Sequence, residues 1–393
     1  MILMGIVAAA FLSMIIMLDT IPSDLTAIII AVLIGALVIT SILLGRERRW
    51  KRIIGVLLAF VFLAVFGGST YFMADTYATI NAISNAGISA TGPKAKTVDP
   101  TTEPFNVYIT GIDQWEEDEG LDLERSDVNM IVTVNPTTNK ILLTSIPRDS
   151  YVMLHTAQAM DKLTHTGIYG VDETLNTVED WLNIDINYYV KMNFTAAEDL
   201  INAIGGIKVY SPVEFESSLR GYKYKQGWNT LSGRQALYFA RERKAFEEND
   251  AARIENQQRV MEAIIKRMTS STTLLTNYGD IMDAAGRNLT TNMSSDEVLA
   301  LVKMQMTYLN SWDIETQKIT GDYDMDYVAS LTQSQMFSIY RPHEESVEKI
   351  KSGINKVMNP AQVDVDMALE ERGRSFIVNL VKNMIEKTKT EQQ

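Results

Sequence analysis

The sequence of 393 residues contains no cysteine. Disulfide bonds, thiolate metal sites and cysteine nucleophiles are therefore excluded. Two hydrolase signatures are also missing, because neither a G-x-S-x-G nucleophile elbow nor an H-E-x-x-H zinc helix occurs. Serine hydrolase and zinc protease functions consequently lack a starting residue.

Basic residues are in the minority, with 36 Lys and Arg against 49 Asp and Glu, for a net charge of −13. The first 73 residues hold five basic and three acidic side chains, a charge of +2, which leaves −15 on the rest of the chain. A charge of this sign repels phosphate backbones, so we expect no nucleic-acid partner.

Long apolar runs are confined to the N-terminal part: Met1–Leu18, Leu25–Leu44 and Ile53–Met73. A membrane-crossing helix needs about 20 residues, so we expect three transmembrane helices within residues 1–73, the first of them short. A cleaved signal peptide is the competing interpretation of the first run, but that run lacks a basic n-region.

The orientation follows from the basic loop at residues 45–52, which contains Arg46, Arg48, Arg49, Lys51 and Arg52. By the positive-inside rule this loop is cytoplasmic, so the third span leads outward. We expect a multi-pass protein of the cell membrane, in contact with the lipid bilayer. Residues 74–104, which include Pro93, Pro100 and Pro104, are predicted to form an extracellular tether with one short helix before Ala90.

Residues 105–360 alternate between strand and helix patterns, and residues 361–393 are predicted to be a C-terminal helical extension with an amphipathic helix over Phe376–Lys387. We expect an α/β fold, specifically a mixed αβα arrangement with a central, mainly mixed β-sheet flanked by helices. Thr195 and Ser232 are predicted helix N-caps, and Gly205-Gly206 a helix stop. Asp322, Asp324 and Asp326 resemble part of a calcium loop but are interpreted as a solvated turn, since Tyr327 stands where glycine is needed.

The stretch Leu237–Gln258 concentrates cations in this acidic chain. Arg241 and Arg243 are two apart, whereas Asp250, Arg253 and Gln257 follow the spacing of one helix face. Converging guanidinium groups suggest a phosphate or pyrophosphate ligand. The alternative is a solvated helix face whose arginines pair with neighbouring carboxylates, namely Glu242, Glu247, Glu248 and Glu255.

Three further clusters carry potential chemistry. Asp113 and the segment Arg125-Ser126-Asp127 lie next to predicted strands, and two such carboxylates with a pyrophosphate would suit Mg²⁺. Arg148, in Ile146-Pro147-Arg148-Asp149, is presented at a strand end, with an ordinary turn as the alternative. Lys162 and His165 could add a cation and a hydrogen-bond donor to the same site, although a lone histidine is more often structural.

Taken together, the motifs resemble those of the LytR-CpsA-Psr family of cell-envelope proteins over roughly residues 105–268. The motifs, in chain order, are GID, RSD, VNP, SIPRD, KLTH, YYVKMNF, AIGGIKV, GWNTLSGRQALYFARER and NDAARIENQQ. KLTH stands where the family pattern has KLNHA, which weakens a functional role for His165.

The resemblance implies a phosphotransferase that moves an anionic glycopolymer, such as a capsule or teichoic acid chain, from a polyprenyl-pyrophosphate carrier to peptidoglycan. It implies Mg²⁺, with Mn²⁺ as a substitute, and contacts with membrane proteins of polymer synthesis. The matching residues are Asp113, Asp127 and Asp250 for metal and acid/base chemistry, and Arg125, Arg148, Arg241, Arg243, Arg253 and Gln257 for the phosphates. Arg148 is also a candidate for the catalytic step, as are Asp113 and Asp250, while Lys162 is a further candidate for pyrophosphate binding.

Two other functions remain open at this point. One is hydrolysis of the same pyrophosphate carrier, and the other is a non-catalytic, lipid-binding regulator of envelope polymer synthesis. An isoprenoid carrier also requires an apolar slot, which we expect between the sheet and the Met- and Ile-rich face of the helix after Asp250.

Overall fold

The computed structural model describes residues 2–18, 23–45, 48–87, 95–112, 126–246, 250–270, 289–308, 312–331 and 335–362, together with isolated positions between 273 and 284 and residue 365. Its helices are α1 (Ile2–Leu18), α2 (Ser23–Leu44), α3 (Arg49–Gly87), α4 (Val171–Leu182), α5 (Phe194–Ala203), α6 (Gly233–Arg241), α7 (Asp250–Met268), α8 (Ser295–Tyr308) and α9 (Glu344–Met358). A 3₁₀ helix covers Leu163–Tyr169.

The strands of the described chain are β1 (Phe105–Ile112), β2 (Ser126–Asn135), β3 (Lys140–Ile146), β4 (Tyr151–Met153), β5 (Met160–Lys162), β6 (Tyr188–Met192), β7 (Ile207–Ser211), β8 (Phe215–Glu216), β9 (Lys223–Tyr224), β10 (Gly227–Leu231), β11 (Leu289–Thr291), β12 (Asp313–Lys318), β13 (Gly321–Asp326) and β14 (Phe337–Pro342). The described residues divide into two compact units. One contains the residues up to Asn81 together with α8, and the other contains residues 82–294 and those from 312 onward.

The first unit begins with helices α1, α2 and α3, which contain the three apolar runs of the sequence. Within α2 and α3, the segments Thr26–Leu44 and Arg49–Tyr71 are long and apolar enough to cross a membrane, with mean hydropathies of 3.0 and 2.3. The apolar part of α1, Ile2–Ile16, is shorter than spanning length. These helices indicate membrane anchoring on length and composition.

Helix α3 extends beyond its apolar part and ends at Gly87. The first half of the predicted tether is therefore helical. The physical reason lies in its composition, because residues 74–86 contain no glycine or proline and include four alanines, which favour helix.

The second unit is built on a six-stranded mixed sheet in the order β11-β6-β1-β2-β3-β12. Strand β1 is parallel to β6 and antiparallel to β2, while β3 is antiparallel to β2 and parallel to β12. The predicted α/β class with a central mixed sheet is confirmed.

The two faces of this sheet bury different side chains because alternate residues point to opposite sides. Ile131 packs with Val178 of α4 and Ile350 of α9 on one face. On the other face Met130 and Val132 pack with Met261 and Ile265 of α7. The sheet therefore lies between helical layers, in the predicted αβα order.

Strands β7 and β10 form a separate two-stranded antiparallel sheet. Strand β7 follows α5, and β10 precedes α6. Gly205 and Gly206 end α5 with φ values of +79° and +80°, as predicted for a helix stop. A side chain at Gly206 would meet the carbonyl oxygen of Leu231 at 2.8 Å. Ser232 and Gln235 form a capping box at the start of α6, which confirms the predicted cap.

Two local predictions were wrong. Helix α5 is capped by Asn193, whose side chain accepts a hydrogen bond from the Ala196 amide, and not by Thr195. The Asp322 to Asp326 run is strand β13 rather than a turn, since it pairs with β14. Arg341 forms ion pairs with Asp324 and Asp326, and His343 Nε2 lies 2.8 Å from Asp322. The predicted C-terminal helix over 376–387 lies outside the described residues.

Candidate functional site

A cavity of about 280 Å³ lies between the sheet and helices α5, α6 and α7. Its wall is largely apolar and is formed by strand residues such as Ile109 together with Ile201 of α5 and Ile264 of α7. Met261 of α7 also lines it, so the apolar slot lies where the sequence predicts it. A larger open groove of about 1330 Å³ lies between β12 and α9, but it is lined by none of the candidate residues.

The polar part of the cavity lining is strongly biased towards positive charge. Among the described lining residues there are four cations, Arg241, Arg243, Lys244 and Arg253, against one carboxylate, Asp127. In a chain whose net charge is −13, this local excess makes the cavity a preferred position for an anion. Four described lining residues are exposed and form the cavity rim, namely Ser218, Leu219, Arg243 and Lys244.

Arg241 is the last residue of α6, and its position is determined by both ends of that helix. The capping box at Ser232 fixes the first turn. At the other end the Arg241 guanidinium lies over the ring of Phe194, with Cζ 4.3 Å from the ring centroid. This stacking holds the planar group at the cavity wall, a geometry that arginine favours over lysine.

Arg253 and Gln257 reach the cavity together because they lie one turn apart on α7. Val260 and Ile264 continue the same face, so one helix supplies the buried Arg253 and part of the apolar wall. Asp250 is the first residue of α7, but its side chain lies outside the described part of the structure.

Asp127 lines the cavity and is also the first of four neighbouring side chains whose charges alternate, namely Asp127, Arg148, Asp149 and Lys162. Its carboxylate is ion-paired with Arg148. Arg148 also lies 3.5 Å from Asp149, measured from Nε to Oδ2, and Lys162 Nζ lies 3.3 Å from the other oxygen of Asp149. The predicted SIPRD and KLTH clusters are thus brought together, with Asp127 as their member on the cavity wall.

His165 takes part in a buried network with Asp161 and Ser330. Its Nδ1 atom is 2.7 Å from Asp161 and 2.9 Å from the Ser330 hydroxyl, and Asp161 also accepts the Ser330 amide. His165 and Asp161 are both buried. This network joins the 3₁₀ helix to the segment after β13, which is a structural role.

The competing interpretation of the arginine stretch named Glu242, Glu247, Glu248 and Glu255 as the carboxylates that pair with its arginines. Two of them, Glu242 and Glu255, lie in the described part of the chain and contact other groups. Glu242 accepts backbone amides, and Glu255 pairs with Lys318 at 2.7 Å and Arg259 at 3.1 Å. Glu247 and Glu248 lie outside the described residues, as do Asp113 and Arg125.

Sequence reasoning missed three residues of this region. Phe194 is the last residue of the YYVKMNF motif, and Lys244 lies within the stretch Leu237–Gln258. The aromatic residue next to Asn193 was a usable signal for arginine stacking. Glu242 was considered only as a charge, because its contacts depend on a hairpin that is distant in sequence.

Comparison with known proteins gives the same assignment. The model of the LytR_cpsA_psr family matches residues 70–356. The polyisoprenyl-teichoic acid–peptidoglycan teichoic acid transferase TagU of Bacillus anthracis (strain CDC 684 / NRRL 3495) is 37% identical over 223 residues, which cover 56% of this chain and 70% of that protein.

Solved structures agree with this. The crystal structure of B. subtilis TagV superposes with a TM-score of 0.54 at 30% identity and covers 66% of this chain and 99% of that one. The structure of TagT bound to LIIa-WTA gives a TM-score of 0.54 at 28% identity, covering 68% and 98%. On the extent of the family match, together with the ordered motifs, this chain belongs to the LytR-CpsA-Psr family.

Proposed function

We propose that this protein is a membrane-anchored phosphotransferase that moves an anionic glycopolymer from a polyprenyl-pyrophosphate carrier to peptidoglycan and releases polyprenyl phosphate. The polymer is of the teichoic acid type, as in the name of the relative TagU, or of the capsular type. The observation that carries the proposal is a largely apolar cavity, whose described lining residues include four cations and one carboxylate.

The two parts of the cavity suit the two parts of such a donor. Apolar side chains from the sheet and α7 bind the isoprenoid, because burying its CH₂ and CH₃ groups is favourable. The guanidinium groups of Arg241, Arg243 and Arg253 bind the pyrophosphate oxygens through charge-assisted hydrogen bonds. Gln257 supplies a neutral donor beside them.

In the proposed reaction, an acceptor sugar hydroxyl attacks the phosphorus next to the glycan. A new oxygen–phosphorus bond forms there, the bridging bond to polyprenyl phosphate breaks, and the bridging oxygen leaves with the electron pair. The hydroxyl proton passes to a carboxylate, for which Asp113 and Asp250 are the candidates from the resemblance. Holding both reactants in line supplies most of the rate enhancement in such a mechanism.

The donor set at Asp127 is compatible with Mg²⁺, or Mn²⁺ in its place. Magnesium takes oxygen ligands and often uses only one or two protein carboxylates together with substrate phosphates and water. Asp127 is a carboxylate on the cavity wall, and Asp113 and Asp250 would be its partners in holding the ion. The bound ion would neutralise charge on the pyrophosphate.

The same proposal includes the topology. With the loop at residues 45–52 in the cytoplasm, the protein is multi-pass and its second unit is extracellular, where peptidoglycan lies. Membrane proteins of polymer synthesis are further proposed partners, as the family resemblance implies.

The decisive experiment incubates the purified full-length protein with a defined polyprenyl-pyrophosphate glycan, with and without peptidoglycan. Polymer attached to peptidoglycan, and polyprenyl phosphate released only when acceptor is present, would support transfer. Release of polyprenyl phosphate without acceptor would instead identify a hydrolase. Binding of the donor with no product in either arm would identify a regulator.

A further inference from the structure

Glu242 has an unusual position for a carboxylate. It directly follows Arg241 at the C-terminal end of α6, where the helix dipole disfavours negative charge. Its side chain is nevertheless buried, with a relative exposure of 2%. A buried carboxylate in such a position requires compensating hydrogen bonds.

Those bonds come from backbone amides of two different segments. The Oε1 atom accepts the amides of Arg243 at 3.0 Å, Lys244 at 2.8 Å and Ala245 at 3.2 Å. The Oε2 atom accepts the amide of Ser218 at 2.6 Å. One carboxylate therefore binds the segment after α6 with one oxygen and the β8–β9 hairpin with the other.

Both segments belong to the cavity rim. Ser218 and Leu219 form one part of it, and Arg243 and Lys244 form another. Since the amides of three of these four residues bind Glu242, its carboxylate fixes the distance across the rim and the direction of the Arg243 backbone. Glu242 itself is not among the residues that line the cavity.

We propose that Glu242 is a positioning residue that joins the β8–β9 hairpin to the arginine segment and thereby sets the pyrophosphate-binding geometry of the cavity rim. The inference rests on the proposed function, because it assumes that the cations at the rim bind the head group of the donor. It assigns no contact between Glu242 and the substrate.

The substitution Glu242→Gln isolates this role. The glutamine carbonyl can accept only one of the two sets of amides, and its NH₂ group then faces the other as donor against donor. The two segments are also held by aromatic packing, since Phe215 of β8 lies 5.1 Å from Phe246, between ring centroids. We therefore expect the variant to fold with an altered rim.

Two probes with the same tail separate the rim from the apolar wall: farnesyl pyrophosphate, which carries the head group, and farnesol, which lacks it. In the full-length protein, Glu242→Gln should weaken farnesyl pyrophosphate binding by about tenfold or more, equivalent to about 1.4 kcal/mol. Farnesol affinity should stay at the parental level. The matched control is Glu216→Gln, which changes an exposed glutamate of the same hairpin.

Equal losses for both probes would overturn the proposal, because a general disturbance of the domain affects head and tail alike. Unchanged affinity for both probes would overturn it too. If Glu242→Gln does not fold, the affinities for farnesyl pyrophosphate and farnesol are measured for Glu242→Asp instead. This variant keeps the carboxylate, but its shorter side chain cannot bind both segments. If the parent itself does not bind farnesyl pyrophosphate, the proposed function falls, whereas binding by both parent and Glu242→Gln removes only the positioning role.

Discussion

Single arginines in this structure occupy settings that lysine cannot reproduce. Arg241 is stacked on Phe194, and Arg148 lies between the carboxylates of Asp127 and Asp149. Both arrangements use the planar, forked guanidinium group, whereas a lysine ammonium is a compact point charge. The site therefore depends on the planar shape of the guanidinium groups as well as on their charge.

Arg148→Lys and Arg241→Lys should each reduce polymer transfer by about 10- to 150-fold. Each substitution keeps the net charge but would lose one two-point contact with the proposed pyrophosphate, and charge-assisted hydrogen bonds contribute about 1.5–3 kcal/mol. Transfer rate and unfolding midpoint should be measured side by side. Near-parental transfer in both variants would leave the anion site without support, because an exposed ion pair contributes about 0–1 kcal/mol and tolerates lysine.

Asp127→Asn should lower transfer and raise the Mg²⁺ concentration needed for half-maximal activity, because a hard cation requires the carboxylate charge. Asp149→Asn is the matched control, since Asp149 also pairs with Arg148 but does not line the cavity. The control should leave the Mg²⁺ dependence unchanged. Coincident Mg²⁺ titrations of Asp127→Asn and the parent would show that Asp127 has only a structural role.

The buried Asp161 predicts a pH dependence of stability. Burial by itself would raise the pKa of Asp161, but hydrogen bonds from His165 and Ser330 outweigh burial and bring the pKa below its ordinary value. A depressed carboxyl pKa stabilises the fold above the unfolded pKa of about 3.9, and this stabilisation is lost as pH falls through the folded pKa.

Asp161→Asn should therefore lower the free energy of unfolding at neutral pH. The difference from the parent should shrink as pH falls below about 4, because the carboxyl becomes protonated first in the unfolded state and, at lower pH, in the folded protein. Denaturant titrations of both proteins from pH 7 to pH 3 give this comparison. A difference that stays constant over the whole range would contradict an ionised Asp161 in the folded protein.

At the scale of elements, helix ends place the functional side chains. Helix α5 begins just after Asn193, with Phe194 as its first residue, and α6 ends at Arg241, so the stacked pair joins the start of one helix to the end of another. Both helices start with defined caps. The caps therefore influence the site as well as helix stability.

Asn193→Ala should destabilise the protein by about 0.5–2 kcal/mol, because it removes the acceptor for the Ala196 amide. Thr195→Ala is the matched control and should have a much smaller effect, since Thr195 lies inside the helix and does not cap it. Chemical unfolding of both variants measures the two differences. Equal losses of unfolding free energy in the two variants would contradict Asn193 as the cap of α5.

At the scale of the whole molecule, the protein combines apolar N-terminal helices with an α/β unit whose cavity is cationic. A lipid-linked anionic donor needs both features, because its tail resides in the bilayer and its pyrophosphate must be neutralised outside it. The orientation of the chain in the membrane is therefore as important to the proposal as the cavity.

Single-cysteine variants test the orientation without a background signal, since the chain has no cysteine. A cysteine introduced as Thr97→Cys, at an exposed position after α3, should react with a membrane-impermeant thiol reagent on intact cells. Trp50→Cys, within the basic segment at residues 45–52, should react only after the cells are opened. The reverse labelling would overturn the proposed topology.

The sequence by itself determined the elements and the composition of the site. The sequence predicts a strand over Lys140–Ile146 and a helix from Asp250 to Met268, and β3 and α7 have these bounds. Both predictions use local patterns, namely a short run rich in apolar and β-branched residues bounded by turns, and a helical apolar stripe. The apolar slot and the cationic cluster could also be predicted from the sequence, since arginines and apolar residues recur within one stretch of chain. Local signals failed where two candidates competed, as at the α5 cap, where Asn193 and Thr195 are both good capping residues.

Only the tertiary structure decided which groups meet. The pairing of Asp127 with Arg148 follows from the antiparallel register of β2 and β3, and the contact of Glu242 with Ser218 joins residues 24 positions apart. The local sequence around Asp322, Asp324 and Asp326 is compatible with a turn and with a strand. Only the pairing of β13 with β14 distinguishes the two. Such contacts depend on how distant segments pack, which no local pattern of residues specifies.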